Sequence, residues 1–212
     1  MNKFNSFYCQ KYLFIGFFVI TLSSNTFPSA NPSFVSNNTI ELKTSSYETY
    51  GLNDEKLFFK SKEGNINLDN QEINLIGEVE GKFIIDGETF NIKTESISGN
   101  LLDKSIFSKE KVLFETKELE IVSSSMEIIQ TTKEGTKILF GNANFNKINT
   151  RTGMQKGKAN KIELILSKDL IFMQGKAEFH EGNMKVISDE IHYDISEGRI
   201  LRSVNAKIIN SL

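Results

Sequence analysis

The chain has 212 residues, enough for one domain or two small ones, with 25 basic and 27 acidic side chains and a net charge of −2. That balance excludes a non-specific nucleic-acid binder, which needs clustered Lys and Arg. A single cysteine, Cys9, excludes a disulfide framework.

Residues 1–30 read as a secretory signal peptide. Lys3 and Lys11 precede the apolar run from Tyr12 to Leu22, and small residues follow, ending in Phe27-Pro-Ser-Ala30. The run is shorter than the roughly 20 residues that span a bilayer, which favours cleavage after Ala30 over an uncleaved amino-terminal anchor. Cys9 lies before the apolar core, so it cannot be the lipid-carrying cysteine of a lipoprotein signal. Loss of 1–30 removes Lys3 and Lys11, taking the net charge from −2 to −4 and leaving an exported chain with no cysteine. Its stability then rests on packing and strand pairing.

Residues 31–45, with Asn, Ser, Thr and Pro32, are expected to form a flexible lead-in to a β domain over 46–212. Pro28 and Pro32 are the only prolines; proline lacks the ladder N–H, so the proline-free remainder suits paired strands. Three phrases alternate apolar and polar residues around one glycine: Ile73-Asn-Leu-Ile-Gly77-Glu-Val79, Ile138-Leu-Phe140-Gly141-Asn-Ala143-Asn-Phe145 and Ile171-Phe-Met173-Gln-Gly175-Lys-Ala177-Glu-Phe179. Each reads as a half-buried strand with a bend or bulge. A second phrase carries Thr or Ser: Phe90-Asn-Ile92-Lys-Thr94-Glu-Ser-Ile97 and Met184-Lys-Val186-Ile-Ser188-Asp-Glu-Ile191-His-Tyr193. Both return roughly one hundred residues later, the mark of a repeated β unit stacked into an extended sheet. Turns are legible at Asp86-Gly87, Glu181-Gly182-Asn183 and Glu197-Gly198. Ser108 to Leu119 could be read helically, but Val112-Leu-Phe114 fits the strand phrase better. The expectation is all-β over 38–210, with about a dozen strands or more.

Catalytic and cofactor residues do not emerge. His180 and His192 lie on strands among acidic neighbours; with no cysteine nearby, they could hold a metal only with carboxylates, and they read as solvated strand residues. Carboxylates are plentiful, but glycan enzymes stack sugars on Trp, which is absent. No nucleophile elbow, phosphate loop or dinucleotide fingerprint occurs. No enzyme, cofactor or metal site is therefore expected. The alternating apolar positions are more telling. Ile73, Leu75, Phe90, Ile92, Ile138, Phe140, Ile171, Met173, Phe179, Met184, Val186 and Tyr193 share one face. That face is either a closed core or an apolar trough able to hold acyl chains, each buried CH₂ contributing about 0.8 kcal/mol.

The run Gly175-Lys-Ala-Glu-Phe179-His-Glu-Gly182-Asn-Met184-Lys-Val-Ile-Ser188-Asp-Glu-Ile191-His-Tyr193-Asp194 resembles the OstA-like superfamily of periplasmic lipopolysaccharide-export proteins. Residues 157–212 look most like the carboxy-terminal half of the LptA type, and 57–130 are closer to the LptC type. The resemblance implies a β-jellyroll, a V-shaped stack of antiparallel strands whose apolar interior shields lipid A acyl chains in the periplasm. It also implies a bridge between inner and outer membranes, joined by strand addition at open edges to other OstA-like proteins or to further copies of the chain. Inner-membrane anchoring follows if the leader is retained. The rivals are an exported structural or adhesive β-repeat protein with a closed core and no lipid ligand, and a carbohydrate-active enzyme on a β-solenoid.

Overall fold

A computed structural model describes residues 39–50, 56–85, 88–100, 105–131, 135–149 and 153–210. The leader 1–30 lies outside the described residues. The described residues form fourteen strands and a single 3₁₀ turn at Leu166–Lys168, with no α-helix. In chain order the strands are β1 (Thr39–Tyr50), β2 (Lys56–Asn67), β3 (Glu72–Ile85), β4 (Glu88–Asn100), β5 (Ser105–Ser108), β6 (Val112–Glu115) and β7 (Leu119–Ser123). There follow β8 (Ser125–Thr131), β9 (Gly135–Asn149), β10 (Gly153–Ile165), β11 (Leu170–Glu181), β12 (Met184–Asp194), β13 (Arg199–Val204) and β14 (Lys207–Asn210). Strand β1 takes in 39–45, the stretch expected as a lead-in. Its ladder to β2, from Thr39↔Asn67 to Tyr50↔Lys56, provides the order that its polar composition hid.

All pairing is antiparallel within one sheet, and the long strands follow one another as a meander. Strands β5 and β6 both lie along β4, and β7 and β8 both lie along β9, so each short pair is one long strand broken in the middle. Strands β13 and β14 likewise share β12. The burial pattern explains the breaks. Along β10 the buried positions are Gln155, Gly157 and Ala159, then Ile162 and Leu164, a change of parity in mid-strand. Along β2 the same change separates Phe59 and Ser61 from Gly64 and Ile66. Side chains alternate with period two, so an extra residue is needed for both halves of a bent strand to aim inward. The ladder shifts at those places: Lys60/Glu63, Ile76/Val79, Lys158/Lys161 and Gln174/Ala177.

The bends line up as a crease that divides the sheet into two facing layers. One layer holds the halves around 46–50, 56–60, 79–85, 88–94, 112–122, 143–149, 153–159, 177–188 and 207–210; the other holds the remaining halves. At the crease Gly77 and Gly175 have φ of 79° and 73°, and Glu78 and Lys176 follow them at 49° and 52°. Glycine enters this left-handed region without the Cβ penalty, which is why the repeated phrase carries it there. The hydroxyls of the second phrase serve the crease too. Ser188 Oγ donates to the Glu190 carbonyl at 2.8 Å and accepts the Val204 N–H at 3.1 Å. Thr94 and Ser108 hydroxyls lie 3.0 Å apart, and Ser61 Oγ reaches the Glu63 carbonyl at 2.7 Å. Backbone groups freed by a bend need such partners when buried. The core runs between the layers as one apolar cluster from Leu57 to Tyr193.

Candidate functional site

The interior is built from the inward positions of both layers. Phe114 and Phe140 meet across the gap with centroids 5.5 Å apart, and Phe90 stacks on Phe114 at 5.8 Å. Further along, Tyr193 packs on Phe145 at 5.5 Å and on Phe179 at 5.4 Å. Two glycines make room for such rings. A Cβ at Gly157 would lie 2.0 Å from Phe145 Cε1, and one at Gly81 would lie 2.3 Å from Phe59 Cε1. Each pair is directly opposed in the ladder.

The twelve residues expected on the apolar face all point inward. Ile92, Ile138, Phe140, Ile171, Met173 and Tyr193 are fully buried, and Ile73, Leu75, Phe90, Phe179 and Val186 nearly so. Met184 is half-buried against the cluster. Ile73, Leu75, Ile138, Phe140, Ile171, Met173 and Tyr193 belong to one layer; Phe90, Ile92, Phe179, Met184 and Val186 belong to the other. The alternation found the inward face but not the layer, because layer membership depends on where each strand bends.

Away from the crease, strand ends and turns of the two layers face each other across an open edge. A cavity of about 550 Å³ lies there. One wall is Glu88, Thr89 and Phe90 of β4 with Thr116, Lys117, Glu118 and Leu119 of the β6–β7 turn; the other is Leu164, Leu166, Asp169, Ile195 and Ser196. Phe90, Leu119, Leu164 and Leu166 form its apolar floor beneath a polar rim. Both walls are held by local bonds. Thr116 Oγ1 accepts the N–H groups of Glu118 at 3.1 Å and Leu119 at 2.9 Å, and Ile195 N–H bonds the Asp169 carbonyl at 2.8 Å. Asp194 caps the β12–β13 turn through Oδ1, which accepts Glu197 N–H at 2.8 Å and the Ser196 hydroxyl at 2.7 Å. The Glu197 N–H is the main reason its carboxyl lies below the usual range. Of the expected residues only Phe90 reaches this cavity. Leu119, Leu164, Leu166 and Ile195 come from strand ends and turns, where period-two alternation carries no signal.

Beside the cavity the open edge is bridged. Gln155 is fully buried on β10; its amide N–H donates to the Gly198 carbonyl of the opposite layer at 2.8 Å and to Glu181 Oε1 at 2.6 Å. Its carbonyl oxygen accepts the Tyr193 hydroxyl. Burial pushes the Tyr193 phenol well above its ordinary range, so it stays a donor. Both histidines lie on outward positions and pair with neighbouring carboxylates: His192 Nε2 with Glu190 Oε1 at 2.5 Å, His180 Nε2 with Glu178 Oε2 at 3.7 Å. Among the described residues no group of His, Cys, Asp and Glu is arranged to hold a metal ion.

No curated protein sequence matches the chain significantly. Among solved structures, the chain is similar to LptH, the LptA-homologous periplasmic component of the conserved lipopolysaccharide transport device from Pseudomonas aeruginosa. That similarity has a TM-score of 0.51 and 9% identity, and covers 58% of this chain and 95% of that one. At that identity it shows the fold, an LptA-like β-jellyroll. Residues 91–199, from within β4 to the start of β13, match the family described as LptA/(LptD N-terminal domain) LPS transport protein. With that stretch making up more than half of its length, the chain belongs to the LptA/LptD amino-terminal-domain family of lipopolysaccharide transport proteins, as a transport component and not an enzyme.

Proposed function

We propose that the protein carries lipopolysaccharide across the periplasm by shielding its acyl chains in the apolar interior between the two layers. The observation that supports this reading most is the continuity of that interior with a cavity at the open edge, where Phe90, Leu119, Leu164 and Leu166 meet a polar rim. Acyl chains lie against such a floor at about 0.8 kcal/mol per buried CH₂. Residues 1–30 direct export. No cofactor takes part, and a partner transporter at the inner membrane supplies the energy.

The bridging role rests on the two end strands of the sheet among the described residues. Strand β1 ends the stack on one side; β13 and β14 end it on the other, where Leu201 and Ile208 are exposed. An unpaired edge offers N–H and C=O groups to another OstA-like protein or a second copy. The rival, a closed-core structural or adhesive protein, draws support from the dense packing of Phe114, Phe140, Phe145 and Phe179. A photo-crosslinking side chain at Phe140 or Met184, followed in cells by mass analysis, separates the two readings. Lipopolysaccharide adducts are expected, and adducts with protein alone would favour the rival. Leu201→Asp with Ile208→Asp is expected to reduce head-to-tail oligomers in light scattering while circular dichroism stays unchanged.

A further inference from the structure

Lys147 is the only charged side chain buried in the interior among the described residues. It follows Ala143 and Phe145 on the inward face of β9. Its ladder partners are Leu119 on one side and Gln155 on the other, so it stands directly behind the cavity wall. Its ion-pair partner is Glu118 Oε2 at 3.9 Å, on a side chain that is 60% exposed and itself lines the cavity. That distance is well beyond the roughly 2.7–2.9 Å of a charge-assisted hydrogen bond. The pairing is loose, so an anion that came closer would strengthen the charge interaction on this ammonium. The rim itself carries Glu88, Glu118 and Asp169 against Lys117, so the positive charge nearest its inner side is Lys147, held behind Leu119 and Glu118.

We propose that Lys147 anchors the head of an anionic amphiphile at the open edge. The phosphate or carboxylate replaces Glu118 on the ammonium while the alkyl chain lies along Phe90, Leu119, Leu164 and Leu166. The inference rests on the trough reading and adds to it a head-group site. Glu118 is the displaceable partner: tied through its backbone carbonyl to Ile148 N–H at 3.0 Å, it keeps its side chain free to turn to solvent.

The test is titration calorimetry of the full chain with dodecyl phosphate, dodecyl maltoside and inorganic phosphate, the two alkyl probes below their micelle concentrations. Dodecyl phosphate is expected to bind about tenfold more tightly than dodecyl maltoside, the scale of one charge-assisted contact. Lys147→Met is expected to erase that preference without changing maltoside binding, Lys147→Arg to keep it, and Glu118→Gln to increase it. Unchanged dodecyl phosphate binding in Lys147→Met would overturn the assignment, as would inorganic phosphate binding as tightly as the alkyl phosphate. Should Lys147→Met not fold, an unaltered preference in Glu118→Gln overturns it instead. Equal binding of both alkyl probes to the unmodified protein defeats the head-group site alone. Failure of both to bind defeats the trough reading and this site together.

Discussion

Phe179 and Glu178 are neighbours on β11 that face opposite ways. The ring of Phe179 packs on Phe145 and Tyr193, whereas Glu178 lies on the outer face, 2.9 Å from Lys185 Nζ. A carboxylate at 179 would be buried without a partner, so Phe179→Asp is expected to cost about 4 kcal/mol or more. Glu178→Ala is expected to cost less than about 1 kcal/mol, since a surface ion pair contributes little. Urea denaturation of both variants checks this, and equal costs would reverse the assignment of faces. Asp194 holds the turn that carries Ser196 of the rim. Its folded pKa is depressed, so its contribution is present above the unfolded value near about 4 and is lost as pH falls through the folded value. Asp194→Asn is accordingly expected to be less stable at neutral pH and to show a shallower loss of stability below about pH 4, read from denaturation midpoints at each pH.

At the scale of elements, the stack depends on ring-over-glycine pairs and on the crease. Gly157 on β10 faces Phe145 on β9, and a methyl group there would meet the ring at 2.0 Å. Gly157→Ala is expected to destabilise by about 1–3 kcal/mol, as overpacking does. The shorter Phe145→Leu in the same chain is expected to recover part of that loss, an interaction energy that a double-mutant cycle in urea measures directly. Additive costs would mean the strain lies elsewhere. The glycine-centred phrase announced the bends from sequence, through Gly77, Gly141 and Gly175. What it did not announce was that β5 with β6, and β7 with β8, are single rungs broken at the same crease, because their breaks at 109–111 and Ser124 carry no glycine.

Over the whole molecule, each rung touches mainly its neighbours, so stability accumulates along the stack. Strand β1 is an end rung; among its described side chains, Leu42 and Tyr47 pack at the margin of the apolar cluster. Deletion of residues 39–50 is expected to leave a cooperatively unfolding β protein with a lower thermal midpoint. Loss of the cooperative transition in calorimetry would show instead that β1 is integral to the core.

Strand character, the inward face and the positions of several bends were settled by the order of residues alone, because side-chain alternation and the conformational freedom of glycine are local properties. The family resemblance was legible for the same reason, since its phrases are strands and bends. The two layers, the cavity at their open edge and the meeting of Lys147 with Glu118, or of Gln155 with Gly198, were decided by tertiary structure. Each joins residues brought together only when strands bend at the crease and the layers close, and no local pattern encodes which turns will face one another across that gap.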